Sequence, residues 1–362
     1  MTSHSPMNFT VSPNASPVSA EERARLLENP GFGRVFTDHM AVVRYVEGKG
    51  WIDAEVKARG PLTLDPACAV FHYAQEIFEG MKAYRLADGI ALFRPEANAA
   101  RFNQSAARLA MPQLPDGLFL DAVERIVRID RDWIPGGDGS LYLRPFMIAS
   151  ETVLGVKPSS EYLFIVIASS VGAYFKGGKE AVTVWVSPDY TRAAPGGTGA
   201  AKCGGNYAAS LVAQAQAIQN DCDQVVFLDA VERRYVEELG GMNIFFVMDD
   251  NSLVTPPLGT ILPGITRDSL ITLARDRGLT VREELYSIDT WRADAASGRL
   301  KEVFACGTAA VVTPIGEVRS EQGNFTIGTG GMGALTRELR QMLTGIQRGT
   351  NPDPHGWVHR VA

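Results

Sequence analysis

The chain is poor in cysteine, with four among 362 residues: Cys68, Cys203, Cys222 and Cys306. No two form a C-x-x-C pair, so neither a zinc knuckle nor a disulfide framework is expected, and reduced thiols fit a cytoplasmic protein. Positive charge is also short. Lys and Arg number 35 against 41 Asp and Glu, a net charge of -6, which argues against a nucleic-acid or anionic-membrane partner, since both need a basic face. Long apolar runs are missing. The longest, Tyr162 to Phe175, is broken by Ser169, Ser170 and Gly172. It is too short to span a bilayer and reads as a buried strand. No basic patch followed by an apolar run opens the chain, so no secretory signal is expected. Neither G-x-S-x-G nor H-E-x-x-H occurs. His355 and His359 stand four apart, but Gly356 weakens a helix there and no third ligand follows, so a solvated C-terminal segment is expected and no metal site.

What is present is ordinary for a globular protein: 45% hydrophobic and 21% charged residues. The length exceeds what one core serves well, so two domains are expected. Residues 1–30 read as a flexible tail rich in Ser, Pro and Asn, then a first helix whose capping box is Ser19 and Glu22. Residues 31–171 read as a small mixed domain. Its strands are broken at AVFHYAQEIFEG, a helix opens at Pro95, a second helix runs from about Leu120 to Asp132, and SLYLRPFMI and YLFIVIASS are strands. Residues 172–182 read as a glycine-rich linker, and 183–362 as a large domain of apolar strands with a hairpin turn at Asp250-Asn251. The fold class is α/β or α+β in two domains.

Four segments carry candidate chemistry. In Tyr190 to Tyr207, YTRAAPGGTGAAKCGGNY, Lys202 stands alone between two glycine-rich stretches. Glycine allows close backbone approach to a ligand, and a confined lysine is a nucleophile for carbonyls; a surface loop with an incidental lysine is the plain alternative. A nucleotide phosphate loop fits poorly, because Cys203 follows the lysine. In LPGITRDSL, Ile265 and Thr266 begin a helix after Pro263-Gly264, and a helix start can hold phosphate, although most hold nothing. In FACGTAA, a strand ends in backbone amides and the Thr308 hydroxyl, suited to phosphate or carboxylate. In VEELGGMN, a carboxylate on a glycine-punctuated turn can pair with a cation. Arg101, Tyr142 and Arg144 complete the set, while His72 reads as packed or hydrogen-bonded.

Taken in order, these segments, with FEGMKAY at Phe78 to Tyr84 and the ending GIQRGT, resemble the branched-chain amino-acid aminotransferases of the fold type IV (D-amino-acid aminotransferase-like) pyridoxal-phosphate enzymes. The resemblance runs from about Gly31 to the C-terminus. It implies pyridoxal 5'-phosphate bound to Lys202 as a Schiff base. Arg101, Ile265, Thr266 and Thr308 would hold the phosphate, Glu238 rather than Glu237 the pyridine nitrogen, Tyr207 the phenolic oxygen, and Arg192 would stand nearby. Tyr73, Phe78, Tyr142 and Arg144 match the substrate wall, and the amides of Thr308 and Ala309 the α-carboxylate site. In the family Tyr73 serves the partner subunit's pocket, which implies a homodimer. Where some relatives carry a redox-sensitive C-x-x-C after Gly-Thr-Ala, this chain has Ala309-Ala310-Val311-Val312, so thiol regulation there is not expected.

The implied reaction is ping-pong transamination of leucine, isoleucine or valine with 2-oxoglutarate. Lys202 would move the Cα proton and Arg144 would take glutamate's distal carboxylate. D-amino-acid aminotransferase and aminodeoxychorismate lyase share the lysine and glutamate logic; Tyr142-x-Arg144 and FEGMK favour the branched-chain reading. The rival from another class is a non-catalytic phosphate-binding protein.

Overall fold

The computed structural model describes residues 7–172 and 180–361. The chain divides into two compact units, Met1–Tyr174 with Ile346–Ala362, and Phe175–Gly345. The glycine-rich stretch read as a linker lies largely outside the described residues. Among those described, no helix is long and apolar enough to cross a membrane.

In the first unit a ten-stranded, mainly antiparallel sheet is built around the long strands Ser140–Ala149 and Glu161–Val171, paired to each other along their length. Ser140–Ala149 alternates in burial. Leu141, Leu143, Met147 and Ala149 are buried, while Tyr142 and Arg144 share the opposite face, as a period of two requires. The helices Pro95–Arg108 and Leu118–Ile129 supply the core, with the rings of Phe102, Phe119 and Phe164 within 5.4–6.1 Å of one another. Ser19 caps the helix Ala20–Glu28 through the Glu22 N–H. The reciprocal half of the capping box is absent, because the Glu22 carboxylate is taken by Arg25.

Two expectations need correction. The tail is not loose from residue 7 onward. Thr10–Val11 pairs in parallel with the strand Gly50–Ala58, and Arg125 lies 4.8 Å over the Phe9 ring. The Asn14 N–H donates to His39 Nε2 at 2.9 Å, and the Val18 N–H to Asp38 at 3.0 Å. A polar segment is ordered by spending its backbone donors on side chains of the sheet. Nor does the C-terminus belong with the second unit. Val358–Val361 adds to the first sheet beside Gly89–Phe93, and the His359 ring nitrogens lie 2.9 and 2.7 Å from Glu96 and Glu124.

In the second unit a nine-stranded mixed sheet is held together by one strand, Val311–Arg319. Its first half pairs antiparallel with Leu300–Gly307 and its second half parallel with Val182–Val186. Gly316 is needed within it, because a Cβ there would lie 2.2 Å from the Gly330 carbonyl oxygen. The expected hairpin turn forms, with Asn251 in the left-handed region between Asn243–Met248 and Leu253–Thr255.

Because Asn14 donates to Nε2, His39 carries its proton on Nδ1, facing Asp130 at 2.7 Å. Burial raises the Asp130 carboxyl above its ordinary value. In His39→Ala this buried carboxyl loses its imidazole partner, at a cost of about 1–3 kcal/mol. Urea denaturation should show that loss, and hydrogen exchange at Asn14 should accelerate; unchanged exchange there refutes the tie.

Candidate functional site

The candidate residues fall into two groups, one in each unit. In the second unit, Lys202 follows the loop that ends the segment from Tyr190, and its Nζ donates to the Tyr207 hydroxyl at 2.8 Å. Tyr207 lies on the next helix, Gly204–Ala209. The loop is pinned by Asn206, whose amide donates to the Thr198 and Ala201 carbonyls at 2.9 Å each and accepts from the Thr198 hydroxyl at 2.7 Å. Gly199 is required because a Cβ would lie 1.8 Å from the Thr260 carbonyl oxygen. The glycine-rich loop before Lys202 and the Thr260 loop therefore pack backbone to backbone.

Glu237 and Glu238 are neighbours on the strand Val236–Leu239 and diverge, as strand neighbours must. Glu237 accepts from the Thr260 hydroxyl. Glu238, 2% exposed, lies 2.6 Å from the Arg192 guanidinium and accepts the Leu262 N–H at 3.0 Å on the same oxygen, Oε1. Its other oxygen accepts the Asn243 amide at 3.3 Å. Desolvation pushes the Glu238 carboxyl up to about 7; Arg192 and the Leu262 N–H pull it back without cancelling that push. This is a buried anion with one close cation and one lightly bonded oxygen.

The helix Ile265–Asp276 starts after Gly264, with no side-chain cap. Thr266 is buried and Ile265 half-buried there. The Thr308-Ala309 turn follows Leu300–Gly307 and is closed by Val311 at φ 63, a left-handed conformation that a β-branched side chain resists. Cys306, just before the turn, is fully buried, and burial raises its thiol pKa.

In the first unit, the Arg144 guanidinium lies 4.7 Å over the Phe78 ring and 5.5 Å over the Tyr142 ring, and donates to the Tyr142 hydroxyl at 3.3 Å. Its Nε is buried without a hydrogen-bond partner among the described residues. Gly80 makes room for this group, since a Cβ there would lie 2.1 Å from the Tyr142 hydroxyl. Tyr73 does not join it through its hydroxyl, which donates to the Leu154 carbonyl. His72 is hydrogen-bonded, as expected, to the Pro66 carbonyl at 2.9 Å. Arg101 is buried on Pro95–Arg108 and meets Glu79 twice, Nε to Oε1 at 2.7 Å and Nη2 to Oε2 at 2.8 Å. Asn98, one turn earlier, adds a bond to Glu79 at 2.7 Å. Such a fork fixes the orientation of the guanidinium as well as its position. Glu79, Asn98, Asn206 and Asn243 had no role in the sequence reading. The one available signal was Glu79, an acid inside the otherwise apolar run IFEGM.

Residues 76–318 match the family model of the class IV amino-transferases. A branched-chain-amino-acid aminotransferase of Mycolicibacterium smegmatis is 56% identical over 98% of this chain and 99% of its own length. A branched-chain-amino-acid transaminase 1 of Bacillus subtilis is 48% identical over 91% and 94%. Among solved structures, the Escherichia coli branched-chain amino acid aminotransferase matches with a TM-score of 0.71 at 29% identity, covering 89% of this chain and 99% of that one. A branched-chain amino acid aminotransferase of T.th., solved with pyridoxamine 5'-phosphate, matches at 0.72 and 30%, covering 89% and 99%. The family match over residues 76–318, on a chain built of two such sheets, places this chain among the class IV aminotransferases. Within that class it is a member of the branched-chain-amino-acid aminotransferase family.

The Glu238 carboxyl gives a pH test. Ionisation costs more in the folded chain than in the unfolded one, where the carboxyl has its ordinary value of 4.5. The folded state therefore holds the proton more tightly between 4.5 and about 7, and stability falls as pH rises through that window. Glu238→Gln removes this contribution, so its stability profile, measured on cofactor-free protein by chemical denaturation, should fall less steeply there than the parent's; parallel profiles contradict the assignment.

Proposed function

We infer that this chain transaminates branched-chain L-amino acids with 2-oxoglutarate, using pyridoxal 5'-phosphate as its cofactor. The observation that carries the reading is the placing, in one unit, of an amine at Lys202, bonded to Tyr207, with a buried acid at Glu238 that still has a lightly bonded oxygen. Class IV aminotransferases use this cofactor. When bound, it supplies an aldehyde that captures amines and a ring that accepts the electron pair left at the substrate Cα.

The residues fit such a group. Lys202 provides the amine for the aldehyde, and Tyr207 sits within hydrogen-bond distance of that amine, suited to a phenolic oxygen. Glu238 suits a protonated ring nitrogen, because a second cation offsets the desolvation that raises its carboxyl to about 7. The uncapped start at Ile265 and Thr266 suits a phosphate, with Thr308 offering a hydroxyl. The family pattern also assigns Arg101 to that phosphate, and Glu79 holds its fork in one orientation. Arg192 keeps Glu238 in place.

The Lys202 amine takes the proton from the substrate Cα. The amides of Thr308 and Ala309 face the α-carboxylate. Phe78 and Tyr142 form an apolar wall for aliphatic side chains, and Arg144, cradled by both rings with its Nε unsatisfied, takes the distal carboxylate of glutamate. As in the family, we place Tyr73 at the partner subunit's pocket, in a cytoplasmic homodimer; a single-chain mass in sedimentation equilibrium rules the dimer out.

Lys202→Ala should abolish turnover, the yellow colour of the loaded parent, and the covalent pyridoxyl label that borohydride reduction fixes on the parent and that survives denaturation. Arg144→Ala should raise KM for glutamate about 10- to 100-fold, the value of a charge-assisted bond, and leave leucine's nearly unchanged. An equal rise for both substrates ends the Arg144 role. A colourless parent ends the functional reading.

A further inference from the structure

Asn243 is 5% exposed and stands at the start of the strand Asn243–Met248. Its Nδ2 donates in two directions, to Glu238 Oε2 at 3.3 Å and to the Leu262 carbonyl at 3.0 Å. Both partners are acceptors, so the orientation of the amide is dictated. Its Oδ1 then faces the turn that opens the helix Ile265–Asp276. A Cβ on Gly264 would lie 2.0 Å from that oxygen and 3.2 Å from Cγ. The Leu262 residue whose carbonyl Asn243 holds also gives its N–H to Glu238. One buried amide is thus packed against both the acid and the glycine that begins the uncapped helix, two residues beyond Leu262 along the chain.

From this we propose that Asn243 is a positioning residue that couples the two ends of the cofactor site, fixing with the same side chain the Glu238 carboxylate that would take the ring nitrogen and the Gly264 turn that would take the phosphate. The proposal rests on the functional reading above. It explains why position 264 is glycine although its φ of -68° is open to any residue. The constraint there is the neighbouring amide, not the backbone. A methyl at 264, with the Arg267 Cβ 3.3 Å away on another side, displaces the end of the Asn243 side chain and so disturbs the acid that this side chain bonds.

The test measures dissociation constants of the full-length chain, freed of cofactor, for three probes. These are pyridoxal phosphate, pyridoxal without the phosphate, and the pyridoxal phosphate analogue with carbon in place of the ring nitrogen. The parent should bind the first more tightly than either of the others. Asn243→Ala should lower both preferences, each about tenfold, the scale of one hydrogen bond to a charged group. Gly264→Ala should also lower the ring-nitrogen preference, and adding it to Asn243→Ala should lower that preference no further. A merely structural role predicts equal weakening for all three probes with both preferences intact, and that result overturns the proposal. So does a Gly264→Ala chain that keeps the parent's ring-nitrogen preference, which is decisive even if Asn243→Ala does not fold. A parent without either preference refutes the functional reading instead, since the coupling then has nothing to act on.

Discussion

The Arg192–Glu238 pair sets the terms for the second unit. Both side chains are almost wholly removed from water, at 2% and 3% exposure, and their closest atoms are 2.6 Å apart. Contact that close would ordinarily hold a carboxyl well below its normal range. Burial wins instead, and Glu238 rises to about 7. A buried pair of this kind is weak as a source of stability, because desolvation takes back most of what attraction gives. Its value lies in holding an anion at a fixed point with an appetite for further positive charge. The surrounding donors, from Leu262 and Asn243, serve placement more than strength.

The precision of this arrangement comes from backbone packing. Gly199 lets the lysine-bearing loop touch the Thr260 carbonyl, Gly264 makes way for Asn243, and in the first unit Gly80 makes way for Tyr142. At each place a single methyl group would come within 1.8–2.1 Å of a neighbouring atom, and interiors this dense do not absorb such intrusions freely. The glycines that look like loop filler in the sequence are therefore contact points. The strain at Val311, beside the Thr308-Ala309 turn, belongs to the same pattern, since a left-handed β-branched residue persists only where its surroundings over-determine it.

The first unit solves a different problem, the fixing of two guanidinium groups. Arg101 is held by a carboxylate fork from Glu79 with Asn98 in support, so its geometry is set by hydrogen bonds in a dry site. Arg144 is held by aromatic faces, with one hydroxyl at 3.3 Å and an Nε that no group among the described residues satisfies. One arginine has its Nε–Nη2 edge filled by a carboxylate, and the other keeps an Nε without a partner among the described residues.

Lys202 and the Ile265 helix start could be proposed from the chain because their chemistry demands particular residue types amid glycine, and that pattern is local; the choice of Glu238 over Glu237 and the role of Tyr207 came only with the family resemblance. Periodicity does the same for the strand Ser140–Ala149, whose alternation puts Tyr142 and Arg144 on one face. The partners of these residues could not be read. Glu79 meets Arg101 across 22 positions, Asn243 meets the Leu262 carbonyl across 19, and His359 meets Glu96 across 263. An asparagine or glutamate in a strand looks the same whether it faces solvent or a buried cation. Residues 7–18 and the last strand escape a sequence reading for that reason: their order comes from backbone donors and acceptors satisfied far along the chain, and composition records only that such segments are polar. Local chemistry was written in residue type and spacing, while the pairing of buried charges waited on the fold, because only the folded chain brings distant groups out of water together.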